Sequence, residues 1–243
     1  MNSENKKELY DDIVLDYAAA KTNIFKLEHE ETAFWKAIGD VKGQTILDLA
    51  CGSGYFSKQL KAKGAKDVVG VDISEEMIKQ ARHDEKDTPL GISYHVEDAV
   101  NYISDHQFDI ITALYLFCYA GSREMLQTIC KNVYKNTRPG GRLISVTTVL
   151  DKNCRLVDMS LGYRFVPSNV IDIHESQDDL LKVDIELYSG DMKSKCCFPN
   201  FLWKPEIIVQ LLHSSGFTSV NITPILSGVP VVIVTAIRPE EMK

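Results

Sequence analysis

Apolar positions follow two regimes along the chain. Over residues 7–38 they recur at helical spacing. Leu9, Ile13 and Tyr17 are four apart, and Phe34, Trp35 and Ile38 form a second cluster before Gly39 and Gly43 break the pattern. Beyond that point short apolar runs alternate with helix-period stretches. Residues 45–50, 67–72, 92–96, 108–114 and 142–149 predict buried strands. Residues 55–63 predict a helix that buries Phe56 and Leu60. Ser74 is placed to cap a further helix whose first turn carries Glu75 and Glu76. A helix over residues 122–136 presents Met125, Ile129, Cys130 and Val133 on one face, and Pro139-Gly140-Gly141 is expected to stop it. Strands alternating with helices of this length predict right-handed crossovers and a parallel sheet covered on both faces.

The rhythm changes after Leu150. Residues 151–203 show no helical period, but 181–188 and 193–202 predict a β-hairpin around Ser189-Gly190-Asp191. Pro205 then opens a helix with Ile207, Ile208, Leu211 and Leu212 on its core face, and Gly216 ends it. The last two strands, 217–223 and 231–237, are joined too closely to pair in parallel, so they should form an antiparallel hairpin. The expected fold class is α/β: one domain with a doubly wound, mostly parallel seven-stranded sheet, an antiparallel terminal hairpin and a β-rich insertion.

Composition adds boundaries. The chain has 243 residues, 44% hydrophobic and 25% charged, which fits one globular domain with a sizeable core. No run approaches the roughly 18 apolar residues of a membrane span. The N-terminal lysines are followed by no apolar stretch, which argues against a secretory signal. A net charge of −7 argues against a nucleic acid as the main partner. The six cysteines contain no C-x-x-C pair and are read as reduced thiols of a cytoplasmic protein, with no metal site expected.

The sharpest chemical signal is Asp48-Leu49-Ala50-Cys51-Gly52-Ser53-Gly54, a strand running into a glycine turn and a helix. Gly52 and Gly54 allow a sharp bend and close approach of backbone to a ligand. The next strand ends in Asp72, where an acid can accept both hydroxyls of a ribose. A dinucleotide fingerprint would want a third small residue where Ser57 stands, and a pyrophosphate would sit badly beside Asp48. A cofactor with an ammonium group and no phosphate meets neither objection.

On these residues the chain resembles the class I S-adenosylmethionine-dependent methyltransferases, over roughly residues 44–149 and the final hairpin. The resemblance implies the Rossmann-like methyltransferase fold and S-adenosylmethionine as cofactor, with S-adenosylhomocysteine as product. It places Ala50, where the family pattern has its first glycine, with Cys51, Gly52 and Gly54 along the methionine part, and Asp48 at its amino end. Asp72 would hold the ribose and Ile73 and Met77 the adenine face. Glu97-Asp98-Ala99 would meet the adenine, with Asp98 accepting from its amine. Ala113 and Tyr115 would flank the methyl donor. Arg138-Pro139-Gly140-Gly141-Arg142-Leu143 resembles the family's helix-to-strand joint. Tyr10-Asp11, Tyr17 and the segment 114–120 are similar to the toxoflavin-biosynthesis N-methyltransferases, which implies that Tyr17 closes over the methionine end.

The expected layout is a helical lid over 1–43, a cofactor-binding core over 44–150, an acceptor-covering insertion over 151–203 and a terminal helix and hairpin over 204–243. The acceptor is expected to be a small molecule methylated on nitrogen or oxygen, and the protein a monomer or homodimer. Candidates for a proton-handling group are His174, in the insertion, and Tyr119, after the fourth strand; His95, His106, His213, Tyr115 and Tyr188 are weaker ones. Two rivals remain at this point: a nucleotide (NAD)-dependent oxidoreductase, and a non-catalytic S-adenosylmethionine-binding protein.

Overall fold

The computed structural model describes residues 24–151, 163–167, 179–188 and 195–241. Ten strands are described. β1 (Thr45–Leu49), β2 (Asp67–Asp72), β3 (Ile92–Val96), β4 (Phe108–Leu114), β5 (Thr137–Thr148), β9 (Thr218–Pro224) and β10 (Val231–Ile237) form a seven-stranded sheet in the order β3-β2-β1-β4-β5-β10-β9. β1, β2, β3, β4 and β5 are parallel, and β10 runs antiparallel between β5 and β9. β6 (Tyr163–Pro167), β7 (Leu180–Tyr188) and β8 (Lys195–Trp203) make a separate antiparallel sheet. The helices are α1 (Ile24–Ile38), α2 (Tyr55–Ala62), α3 (Glu75–Asp87), α4 (Arg123–Asn136) and α5 (Pro205–Ser215).

Near-continuous burial of β1 and β4 follows from helices on both faces. Strand alternation then sorts the core into two clusters. Ile46, Val68, Ile110 and Ile144 pack on one side with Phe34 and Ile38 of α1, Leu60 of α2 and Ile78 of α3. Leu47, Leu49, Val71, Ile111 and Leu143 pack on the other with the apolar faces of α4 and α5. The small sheet covers the first face through Leu181, Val183, Ile185 and Leu202. The side chains of Ser74 and Ser122 cap α3 and α4 by accepting from Met77 and Met125 amides.

Two expectations change, and a third is described only in part. Pro139-Gly140-Gly141 does not join helix to strand: β5 already begins at Thr137, and the triplet forms an irregularity inside it, where the register with β4 shifts between Phe108 and Ile110. β6 was not foreseen, and its five residues carry no alternation distinct from their surroundings. The helix expected over 7–38 is described from Ile24 onward; its earlier part and the turn at Ser189-Gly190-Asp191 lie outside the described residues. Among the described residues, no helix is long and apolar enough to cross a membrane.

The entry into β1 is held by Asp109. Its Oδ2 accepts from Thr45 N (2.7 Å) and Thr45 Oγ1 (2.8 Å), and its Oδ1 from Arg138 Nε. Burial alone would raise this carboxyl, but the bonds from Thr45 and Arg138 outweigh it and hold it below the usual carboxylate range. A depressed native value gives stability that is present above the unfolded value and is lost as pH falls through the native one. Asp109→Asn should therefore cost about 1–3 kcal/mol near neutrality. Its deficit against the parent should shrink below about pH 4. Thermal melts from pH 3 to 7 check this; a deficit independent of pH across that window refutes the assignment.

Candidate functional site

β1 leaves the sheet through a turn with three left-handed residues, Ala50 (φ 58°), Gly52 (φ 56°) and Gly54 (φ 79°). For Ala50 this costs roughly 1–2 kcal/mol of backbone strain. Tyr115 (φ 59°), the first residue after β4, is also left-handed. Two non-glycine residues in this region, at the ends of adjacent parallel strands, mark where the surrounding structure over-determines the backbone. The turn is fastened by Cys51 N to Val71 O (3.1 Å) and Gly54 N to Cys51 O (3.0 Å).

Asp72 joins this turn to the next. Its Oδ2 accepts from Gly52 N (2.8 Å) and its Oδ1 from Ser74 N (2.9 Å), while its carbonyl accepts from Glu97 N (2.9 Å). Asp48, 2% exposed, accepts from Ser57 Oγ (2.6 Å) and Thr112 Oγ1 (2.7 Å). Ser57, the residue that breaks a dinucleotide fingerprint, thus has a partner that explains it.

These elements enclose a cavity of about 390 Å3 at the carboxyl ends of β1, β2 and β4, a size suited to a small ligand. Asp48, Ala50, Cys51, Gly52, Asp72, Ile73, Met77, Glu97, Asp98, Ala99, Tyr115 and Tyr119 all line it. The charged groups among the described lining are all carboxylates: Asp48, Asp72, Glu97 and Asp98. Aromatic side chains of Tyr55, Phe56, Tyr115 and Tyr119 also line it, and Tyr115 and Tyr119 pack against the core cluster that the small sheet covers. A cradle of backbone amides and carboxylates at one part and aromatic rings at another fits an elongated, cationic, nucleoside-bearing group.

Other candidates fall elsewhere. Gly54 does not line the cavity; its open side faces the Tyr94 ring. Ala113 is fully buried in β4, and its carbonyl accepts from Ser145 Oγ (2.5 Å). Tyr17 and His174 lie outside the described residues, as does the side chain of Tyr188. His95, His106 and His213 are exposed and do not line the cavity.

The structure also brings in residues that sequence reasoning missed as site residues: Met125 and Ile129 of α4, Gln80 of α3, Val100 and Leu116. Met125 and Ile129 belong to the apolar face read as core, and periodicity does not separate a core-facing turn from a cavity-facing one. α1 reaches the cavity rim, where Tyr55 Oη donates to Glu31 Oε1, and Phe34 packs edge-on against Phe56 at 4.9 Å. The hydrogen bond to Glu31, with burial, raises the Tyr55 phenol. Burial, then the charges of Asp72 and Asp48, push the Cys51 thiol well above its ordinary value, which disfavours the thiolate. Among the described residues no His, Cys, Asp and Glu side chains gather as a metal-binding group.

Residues 46–141 match the family model described as a methyltransferase domain. A ubiquinone biosynthesis O-methyltransferase of Coxiella burnetii (strain Dugway 5J108-111) is 36% identical over 108 residues, 44% of this chain and 44% of its own. A ribosomal protein L11 methyltransferase of Burkholderia lata is 30% identical over 133 residues, 55% of this chain and 41% of its own. This chain thus spans less than half the length of these curated relatives. The solved structure titled as the DhpI–SAH complex superposes with a TM-score of 0.66 at 18% identity, covering 99% of this chain and 98% of that one, and so shares the fold.

Proposed function

We propose, from the match of residues 46–141 to a methyltransferase-domain model, that this chain is a class I S-adenosylmethionine-dependent methyltransferase that transfers a methyl group from S-adenosylmethionine to a nitrogen or oxygen of a small-molecule acceptor. The observation that carries this reading is the single cavity that unites the glycine turn, Asp72, the Glu97–Asp98 pair and the aromatic residues after β4.

The residues present suit that cofactor. Asp72 would accept from the ribose hydroxyls while holding Gly52 N in place. Ile73 and Met77 would lie on the adenine face, with Asp98 accepting from its amine and Glu97 and Ala99 beside it. Asp48, with its oxygens anchored by Ser57 and Thr112, would present a fixed negative charge to the amino end. Ala50, Cys51 and Gly52 would line the methionine part.

When bound, the cofactor supplies an electrophilic methyl carbon for in-line displacement. The protein's task is alignment, which is worth on the order of 7–11 kcal/mol for well-oriented reactants. Tyr115 and Tyr119 would orient the acceptor and exclude water, and Tyr119 or His174 would take a proton where the acceptor is a hydroxyl. The N-terminal segment with Tyr17 would act as the lid, and residues 151–203 would cover the acceptor. The two curated relatives are methyltransferases by name, which supports methyl transfer; the ubiquinone biosynthesis name favours a small acceptor.

The test is calorimetric titration of the full chain with S-adenosylhomocysteine, beside NADH as control. Micromolar binding of the first and none of the second is expected. Binding of NADH, or silence from S-adenosylhomocysteine, overturns the reading. Screening small amines and phenols for S-adenosylhomocysteine release then finds the acceptor; tight cofactor binding with no turnover on any acceptor would favour a non-catalytic binding protein.

A further inference from the structure

Tyr94 of β3 lies directly opposite Gly70 of β2 in the parallel register. Gly70 is not left-handed, so backbone freedom does not explain it. Space does: a Cβ there would fall 2.6 Å from Tyr94 Cδ1 and 2.9 Å from Cys51 Sγ. The ring therefore crosses the sheet over a position that only glycine leaves free. Its far end reaches the underside of the turn, where a Cβ on Gly54 would fall 2.3 Å from Tyr94 Oη. A Cβ on Gly52, by contrast, would meet nothing nearer than Met77 Sδ at 4.0 Å, and Gly52 lines the cavity. The two glycines of the turn thus serve different neighbours, one the cavity and the other a tyrosine. Tyr94 is 5% exposed, and burial, with the neighbouring Cys51 and Asp48, raises its phenol, which stays neutral.

We propose that Tyr94 is a positioning residue of the cofactor site: seated on Gly70, its ring buttresses the turn of residues 50–54 from behind and holds the cavity-facing backbone in its binding conformation before a ligand arrives. Only the identity of that ligand rests on the function proposed above. A preformed turn spares the ligand the cost of ordering it.

The experiment compares Tyr94→Ala, Tyr94→Phe and Gly70→Ala in the full chain. Amide hydrogen exchange of the ligand-free protein reads the turn directly. Tyr94→Ala should speed exchange over residues 51–56 about tenfold or more while β4 and β5 keep their protection, and Tyr94→Phe should behave as the parent. Measured well below the melting temperature, S-adenosylhomocysteine affinity should fall about tenfold in Tyr94→Ala and stay within about threefold in Tyr94→Phe. Gly70→Ala, which displaces the ring without deleting it, should give the same local signature and keeps the test alive if Tyr94→Ala fails to fold. Parental exchange over 51–56, or an acceleration spread evenly through the sheet, overturns the proposal. A parent chain that binds no S-adenosylhomocysteine overturns the function above instead, and the exchange result still decides the role of Tyr94.

Discussion

Asp72→Ala is expected to weaken S-adenosylhomocysteine binding by about 1–3 kcal/mol, the cost of stranding hydrogen-bond partners. In affinity that is roughly 5- to 150-fold. Two losses combine. On the proposed function the ribose hydroxyls lose their acceptor, and the amides of Gly52 and Ser74 lose theirs, so the cradle loosens at two turns together. Asp72→Asn separates them, because its amide oxygen can still accept from one of the two backbone N–H groups while the charge is gone. Calorimetric titration of both variants makes the measurement. An Asp72→Ala protein that binds with parental affinity breaks the ribose assignment.

The cofactor half was legible because its constraints are local. β2, β3, β4 and β10 have the bounds expected from the sequence: strands buried on both faces, such as β4 and β10, leave a continuous hydrophobic signature, while β3 at the sheet edge is buried on alternate residues at its start. The turn was legible because left-handed backbone selects glycine and because an acid ends the following strand. The chemical reason for each glycine was not. Gly54 was read as giving way to a ligand, and the structure gives its space to Tyr94. That contact joins segments 40 residues apart in sequence, and no periodicity records it. Ser57 likewise counted only as a mismatch until its hydroxyl was seen on Asp48.

The acceptor half was less legible. Strands β7 and β8 showed themselves by alternation and β6 did not. Aromatic residues of the insertion divide between core and surroundings by long-range packing: Trp203 is 2% exposed in the core beside α4 and α5, while Phe201 is half-buried against Gly121. Tyr115 and Tyr119 were picked for standing at the end of β4, and they do line the cavity. The segment between them is tied to the insertion. Cys118, between them, donates from Sγ to Tyr115 O (3.1 Å). Burial pushes its thiol up to about 11 despite hydrogen bonding by Asn200 and Thr148. Thr148 Oγ1 in turn donates to Asn200 Oδ1 of β8 (2.9 Å).

Trp203 is the strongest of these ties. Its indole Nε1 donates to Ala120 O (2.9 Å), its carbonyl accepts from Leu150 N (2.8 Å), and it pairs with Val149 as the chain enters the insertion. Trp203→Ala should destabilise the protein by about 3–5 kcal/mol, the usual cost of emptying a large aromatic site in a core. Part of that loss is the Ala120 carbonyl left buried without its donor, which Trp203→Phe would also incur while filling most of the volume. The turn carrying Tyr119 should then lose its register against β8 although every cavity-lining carboxylate stays in place. The expected outcome is a protein that melts far lower, yet at low temperature still binds S-adenosylhomocysteine with near-parental affinity and has lost methyl transfer to its acceptor. Denaturant melts and cofactor titration check the two parts separately. A variant that loses cofactor affinity in proportion to its stability would show that the small sheet supports the whole cavity rather than its Tyr119 end.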